Sequence, residues 1–167
     1  MQPSLMITCK QKILPMSFDT IKKSKWQEVT QLIHGIGHDV LEIARVVALL
    51  EGKQKQRFLQ RILTPAEQTL AEQRGPRLTE FIAGRFAAKE AITKAFGCGI
   101  GKIISFTDIE VLPNASGKPQ VTLSPEAWQR LDLQQDLQQD HNTYHIHLSI
   151  THQPTLASAF AIVERST

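Results

Sequence analysis

The spacing of hydrophobic residues changes near Gly101, from a helical period before it to a strand-like period after it. The first regular segment is 32–37, a short apolar stretch ending in glycines that predicts a strand. Apolar residues then recur every three or four positions up to Gly52, which predicts a first helix. These residues are Val40, Leu41, Ala44, Val47 and Ala48. Asp39 lies two residues after Gly37, and its simpler interpretation is the N-cap of this helix, a role that is compatible with a role in a site.

Two more helices are predicted between Thr64 and Gly97. The segment 64–67, TPAE, is a capping box with proline at the first helical position, and the Gly-Pro pair at 75–76 ends that helix. The third helix is the longest and ends at Gly97. Its apolar stripe consists of Phe81, Ile82, Phe86, Ile92, Ala95 and Phe96.

Beyond Gly101 apolar and polar residues alternate, as in strands that are buried on one face. The predicted strands cover 106–112, 120–123, 144–150 and 156–163. The first two are joined by a polar turn at 114–119, and a short helix begins at 124. Because helices come first and antiparallel strands second, we expect an α+β fold with an N-terminal helical part packed on an antiparallel sheet.

The positive charge of the chain is concentrated at its N-terminus. The chain has 19 basic and 16 acidic residues, and residues 1–30 hold five of the lysines but only two of the carboxylates. Residues 31–167 therefore carry 14 charges of each sign. We expect a poorly ordered basic extension at 1–30 and a single domain at 31–167. A nucleic-acid-binding protein would carry its basic surface on the folded domain, where the charges here balance, so no nucleic-acid partner is expected.

The composition also argues against a membrane protein and against a disulfide or zinc framework. Hydrophobic residues make up 41% of the chain, and none of the apolar segments approaches the 18 or so residues of a membrane helix. Cys9 and Cys98 lie far apart and form no CxxC motif, so a reducing cytoplasm is the expected location. His145, His147 and His152 lack a neighbouring Cys, Asp or Glu that would complete a zinc site.

Charged residues at helical spacing mark the third helix as a candidate site. Glu90 and Lys94 are four residues apart, as are Arg85 and Lys89, so each pair shares a helix face. The simpler interpretation is a solvated face with salt bridges. However, a glycine-rich segment at 97–101 follows directly, and glycines beside lysines allow backbone N–H groups to approach a phosphate.

Two carboxylates and one histidine add further candidate chemistry. Asp39 and Glu90, together with phosphate oxygens and water, would complete a magnesium site, because Mg²⁺ uses one or two protein carboxylates. His152 lies at the end of a predicted strand, where a structural role and a role in a site both remain open.

Four segments in this order resemble the motifs of holo-[acyl-carrier-protein] synthases, the small trimeric bacterial 4'-phosphopantetheinyl transferases. The first is GIGHDVLEIAR at 35–45, and the second is RFAAKEA at 85–91 with its continuation to Gly97. The third is NASGKP at 114–119, and the fourth is SITH at 149–152. Each motif is weak alone, but their order and spacing agree over roughly residues 32–165.

The resemblance implies roles for individual residues. Asp39 and Glu90 would bind magnesium, and Lys94 would contact the phosphate end of coenzyme A, with Gly97 beside it. Arg45 would help to dock the acidic carrier protein. In a homotrimer, residues of a neighbouring subunit would line the coenzyme site: Gly117, Lys118, Pro119 and His152.

The implied reaction is phosphoryl transfer for fatty acid biosynthesis. A serine hydroxyl of apo acyl carrier protein attacks the β-phosphate of coenzyme A, and 3',5'-ADP leaves; the general base stays open. A magnesium-dependent hydrolase of coenzyme A or of a nucleotide, and a non-catalytic carrier-protein-binding module, are the alternatives. The chain departs from the family pattern at His38, Cys98 and Thr151, none of which removes a charged or metal-binding group.

Overall fold

The computed structural model describes residues 31–135 and 144–166. Its helices are α1 (Ile43–Glu51), α2 (Lys55–Ile62), α3 (Pro65–Glu72), α4 (Leu78–Ala95) and α5 (Pro125–Gln135). Its strands are β1 (Gln31–Glu42), β2 (Ile109–Pro113), β3 (Pro119–Leu123), β4 (Tyr144–His152) and β5 (Leu156–Ser166). Short 3-10 turns lie at Gly75–Arg77 and Phe106–Asp108. The predicted basic extension at 1–30 lies outside the described residues.

The described residues form two antiparallel sheets. β5 lies between β1 and β4 in a three-stranded sheet, and β2 pairs with β3 in a separate hairpin. The predicted α+β class is confirmed. No helix within 31–135 or 144–166 has the length and apolar character needed to cross a membrane.

The first strand is longer than the sequence pattern predicts, and the predicted N-cap role of Asp39 is wrong. β1 continues to Glu42, and Asp39 lies inside it, paired with Ala159 of β5. The first helix begins only at Ile43, and Glu42 at its N-cap makes no side-chain capping bond. The ladder with β5 satisfies the backbone of residues 39–42, and this pairing outweighs their helical spacing.

The capping box at 64–67 is confirmed. Thr64 Oγ1 accepts a hydrogen bond from the Glu67 N–H (3.3 Å), and Glu67 Oε2 accepts one from the Thr64 N–H (2.9 Å). The polar sequence before it also forms α2, which the hydrophobic pattern does not predict.

Helix α4 lies across the inner face of the larger sheet. Near its N-terminus Gly84 faces Ile150 of β4, and near its C-terminus Ala91 and Ala95 face β1. The helix can lie this close because the residues on its sheet-facing side are small. Five of its alanines are buried: Ala83, Ala87, Ala88, Ala91 and Ala95. The two ends of α4 are therefore held against opposite edges of the sheet.

Candidate active site

Three predicted site residues meet where β1 crosses the C-terminal half of α4. Lys94 Nζ of α4 donates to Asp39 Oδ1 of β1 (2.8 Å) and to the His38 carbonyl oxygen (3.2 Å). The Asp39 side chain is only 15% exposed, so this ion pair is partly shielded from solvent. Lys94 is 45% exposed but pairs with a carboxylate on another element, so this face is more than a row of salt bridges along one helix.

Glu90 lies close enough to Asp39 for their charges to interact. Burial raises the pKa of Glu90, the nearby Asp39 carboxylate raises it further, and Lys94 opposes both effects. Two hard carboxylate ligands that repel one another fit a magnesium ion, which would remove the repulsion. No cluster of three or more His, Cys, Asp or Glu side chains occurs in the described residues, so the other ligands would come from substrate and water.

Two glycines of β1 allow the strand to come this close to α4. A Cβ atom on Gly37 would overlap the carbonyl oxygen of Ala91, and one on Gly35 would overlap that of Ala95. Any larger residue would push β1 away from the helix. The glycines of the first motif therefore bring Asp39 to Glu90 and Lys94.

The glycine-rich segment after α4 does not form the predicted phosphate cradle. Its N–H groups already donate within the turn: Gly97 to Lys94 O (2.9 Å), Cys98 to Thr93 O (3.1 Å) and Gly101 to Ile104 O (2.9 Å). Gly97 and Gly99 have positive φ angles of 73° and 66°, as in a helix C-terminal cap. The segment ends the helix, and its carbonyl-rich end does not attract an anion.

A cleft of about 410 Å³ lies at the other end of α4, between that helix, β4 and the β2–β3 turn. It is lined by three residues to which the family resemblance gives a role in coenzyme binding: Gly117, Pro119 and His152. Lys118 is exposed on the same turn. Asn114 Oδ1 accepts hydrogen bonds from the N–H groups of Ser116 and Lys118, both at 3.0 Å, and holds the turn in place.

Three arginines also line this cleft: Arg85, which is a candidate in the sequence, and Arg74 and Arg77, which are not. The guanidinium carbons of Arg74 and Arg85 lie 5.0 and 4.5 Å from the centre of the Phe81 ring. Burial lowers the pKa of Arg85, Glu67 opposes this effect, and Arg74 adds to it. Among the described residues that line the cleft, three arginines stand against a single carboxylate, Glu80, so the cleft fits an anion. Arg74 and Arg77 flank the Gly-Pro pair, which the sequence analysis treated only as a helix breaker.

The carboxylate pair and the arginine cleft do not come together within one chain. His152 Nε2 lies 3.9 Å from Glu80 Oε2, near the N-terminus of α4. Glu80 and Glu90 are ten residues apart on this helix, and at 1.5 Å per residue they are separated by about 15 Å along its axis. Each chain therefore presents two separate parts of a site.

Sequence comparison identifies the family. Residues 35–151 match the model of the 4'-phosphopantetheinyl transferase superfamily. The holo-[acyl-carrier-protein] synthase of Bacillus cereus (strain G9842) is 46% identical over 136 residues, which is 81% of this chain and 98% of that protein. This chain belongs to the holo-[acyl-carrier-protein] synthase family.

Solved structures of the family have the same fold. The Bacillus anthracis holo-[acyl-carrier-protein] synthase, described in complex with CoA (3',5'-ADP), is 41% identical, with a TM-score of 0.64, over 80% of this chain and 98% of that one. The synthase from Neisseria meningitidis is 34% identical, with a TM-score of 0.68, over 80% of this chain and 100% of that one.

At the three departures from the synthase pattern the side chains have other surroundings than the candidate site groups, although the backbone carbonyl of His38 accepts a hydrogen bond from Lys94. Strand alternation places the side chains of His38 and Thr151 on the sheet face opposite α4, and His38 Nε2 lies 2.9 Å from Ser158 Oγ. Cys98 Sγ lies 3.6 Å from the Thr93 carbonyl oxygen, and burial raises the pKa of this thiol. None of them displaces Asp39, Glu90 or Lys94.

Proposed function

We propose that this synthase transfers the 4'-phosphopantetheine arm of coenzyme A to a serine of apo acyl carrier protein, for fatty acid biosynthesis in the cytoplasm. The observation that carries the proposal is the meeting of Asp39, Glu90 and Lys94 where β1 crosses α4. Two carboxylates can bind a divalent cation, and the adjacent lysine can contact a phosphate. The site therefore suits a pyrophosphate-containing substrate that binds together with a divalent cation.

The chemistry follows from the charges of these groups. Asp39 and Glu90 would hold Mg²⁺, which when bound would neutralise negative charge on the pyrophosphate. Lys94, already directed at Asp39, stabilises the charge that develops on the phosphate oxygens in the transition state. The serine hydroxyl gives its proton to a general base, and its oxygen bonds to the β-phosphorus. The bond from that phosphorus to the bridging oxygen breaks, and 3',5'-ADP leaves with this oxygen.

The arginine cleft is suited to the other anionic group of coenzyme A, its 3'-phosphate. Guanidinium groups bind phosphates through paired hydrogen bonds, and Arg85 is already held in the cleft by Phe81. Gly117, Pro119 and His152 complete the lining. Because the cleft lies against β4 and the carboxylates lie at β1, at opposite edges of the larger sheet, we assign the cleft of one subunit to the carboxylates of its neighbour.

The outer face of the larger sheet supports a homotrimer. Ile36, Val40 and Phe160 are 55%, 51% and 43% exposed, and strand alternation places them on the face opposite α4. Large apolar side chains on one face mark a surface that associates with another protein surface. Contact between copies of this face would cover it and bring neighbouring subunits together.

Helices α1 and α2 suit the acidic carrier protein. Arg45 is exposed on α1, and Lys55, Arg57 and Arg61 are exposed on α2. A basic surface of this kind increases the rate of encounter with an acidic partner. Arg45 is the residue of this group that lies in the first motif, so the docked carrier protein would lie near Asp39.

The test is incubation of the protein with apo acyl carrier protein, coenzyme A and Mg²⁺, followed by mass spectrometry. Transfer adds the mass of one phosphopantetheine arm to the carrier protein and releases 3',5'-ADP. A hydrolase would release product without any carrier protein, and a binding module would leave both masses unchanged at every magnesium concentration. Asp39→Asn is the control for metal dependence.

A further inference from the structure

Glu67 is a completely buried carboxylate in α3, and the mechanism above does not use it. Its Oε2 accepts hydrogen bonds from the Thr64 N–H (2.9 Å) and from Lys89 Nζ, and its Oε1 accepts one from the Val111 N–H (3.0 Å). Both oxygens are therefore held by three different parts of the fold. A buried charge with this many partners has a fixed position and cannot rotate away.

Lys89 balances the charge of Glu67. Its ammonium group is fully buried and donates to Glu67 Oε2, to the Ile62 carbonyl oxygen (2.7 Å) and to the Phe106 carbonyl oxygen (2.9 Å). These three bonds use all the donors that an ammonium group has. The predicted solvated pair of Arg85 and Lys89 is therefore wrong, because Lys89 is directed into the core.

Arg85 is the second cation beside Glu67, and it lines the anion cleft. Its Nε lies 3.7 Å from Glu67 Oε1, which is too long for a hydrogen bond, and this buried nitrogen has no hydrogen-bond partner in the described residues. The guanidinium carbon lies 4.5 Å from the centre of the Phe81 ring. Arg85 thus lies between a fixed carboxylate and an aromatic face, and its Nε is hydrogen-bonded to neither.

We infer that Glu67 is a positioning residue that holds Arg85 in the cleft for the 3'-phosphate of coenzyme A. This inference rests on the proposed function of the cleft. Lys89 and the Val111 N–H already donate to the two oxygens of Glu67, so the carboxylate attracts Arg85 through its charge at 3.7 Å and forms no bidentate pair that would compete with the phosphate. A guanidinium held in advance loses less conformational entropy when the phosphate binds.

The experiment compares kcat/KM for coenzyme A with kcat/KM for 3'-dephospho-coenzyme A, in transfer to apo acyl carrier protein. The variants are Glu67→Gln, Arg85→Gln and the double variant. We expect the wild type to prefer coenzyme A, and Glu67→Gln to reduce this preference by about tenfold, as expected for a weakened charge-assisted contact. In the Arg85→Gln background, Glu67→Gln should cause no further reduction.

Asp108→Asn is the matched control for lost stability. Asp108 Oδ2 lies 2.6 Å from Arg130 Nη2 in a partly buried ion pair that does not line the cleft. This variant should lower the melting temperature and leave the substrate preference unchanged. If Glu67→Gln does not fold, Glu67→Asp keeps the charge that Lys89 needs, retracts the carboxylate by one methylene and should reduce the preference in the same direction.

The outcomes separate the inference from the proposed function. A wild-type preference that survives Glu67→Gln or Glu67→Asp would overturn the positioning role and leave the cleft assignment standing. An equal effect of Glu67→Gln with and without Arg85 would also overturn it. A wild type that transfers the arm equally well from both substrates would overturn the assignment of the cleft, and no transfer at all would overturn the proposed function.

Discussion

Lys94 Nζ lies 2.8 Å from Asp39 Oδ1, although 55 residues separate the two in the chain. The contact joins the edge strand β1 to the last turn of α4 and places Glu90 beside both groups. A lysine in this position offsets the repulsion between two carboxylates before any cation binds. The protein can therefore fold with a site that carries excess negative ligand charge.

Removing either carboxylate should abolish most of the activity. Asp39→Asn and Glu90→Gln keep the side-chain size but remove a charge that Mg²⁺ requires, so we expect a loss on the order of 100-fold or more in transfer rate. The rate is measured at saturating Mg²⁺. The matched control is Glu42→Gln, an exposed carboxylate at the end of β1. Near wild-type transfer by either site variant would show that the site is wrong.

Glu90→Gln should also stabilise the metal-free protein at neutral pH. The pKa of Glu90 is raised above its ordinary 4.5 in the folded state, so its ionised form costs stability once the pH exceeds that value. The variant should have the higher melting temperature at pH 7 in a chelator, and the gain should vanish near pH 3, well below the ordinary value, where the carboxyl is protonated in both states. An equal gain at both pH values would exclude an ionisation effect.

Gly37→Ala should destabilise the fold through the contact between β1 and α4. The added Cβ would overlap the carbonyl oxygen of Ala91, and overpacking of this kind costs about 2–3 kcal/mol of unfolding free energy. Gly101→Ala is the control, because no atom lies within 4 Å of a Cβ built there. Urea unfolding gives both values. Similar midpoints for the two variants would mean that β1 does not need this close approach.

Two inactive variants should rescue one another if the site lies between subunits. In co-refolded mixtures of Glu90→Gln and His152→Ala, some sites would pair an intact Glu90 with an intact His152, and the mixture should exceed the sum of the separate refolds. A mixture of Glu90→Gln and Asp39→Asn should show no gain, because both residues come from the same chain. Mixed trimers are confirmed by native mass spectrometry. No rescue in confirmed mixed trimers would place Glu90 and His152 of one chain in the same site.

A chain that starts at about residue 30 should fold and react. The described fold begins with β1 at Gln31, and the Neisseria meningitidis synthase aligns over its full length with only 80% of this chain. Terminal residues beyond the packed elements usually contribute little burial. Melting temperature, native mass and transfer rate should all stay close to those of the full chain. A loss of assembly would show that residues 1–30 take part in the fold.

Local interactions explain what could be predicted. The capping box at 64–67 depends on residues three positions apart, and the alternation in 144–150 depends on successive positions of one strand. The structure contains both the capping box and the strand. The α+β class follows from the same patterns. Four candidate site residues could be proposed from the sequence because each lies in a short motif of consecutive residues: Asp39, Glu90, Lys94 and His152.

The wrong predictions concern residues whose partners are distant in sequence. Asp39 has helical neighbours in sequence but pairs with Ala159 in a strand. Lys89 has the spacing of a surface residue but is buried against Glu67, 22 residues away. In both cases long-range pairing contributes more than local spacing, because an unpaired backbone or charge in the core would be costly.

The family, the fold class and the candidate reactive groups can be read along the chain, because these depend on residue type and local spacing. Where those groups meet depends on the tertiary structure. It brought Lys94 to Asp39, turned Lys89 into the core and gathered Arg74, Arg77 and Arg85 around one cleft. Those arrangements depend on how α4 lies across the sheet, and the packing that holds it there comes from residues far apart in the chain.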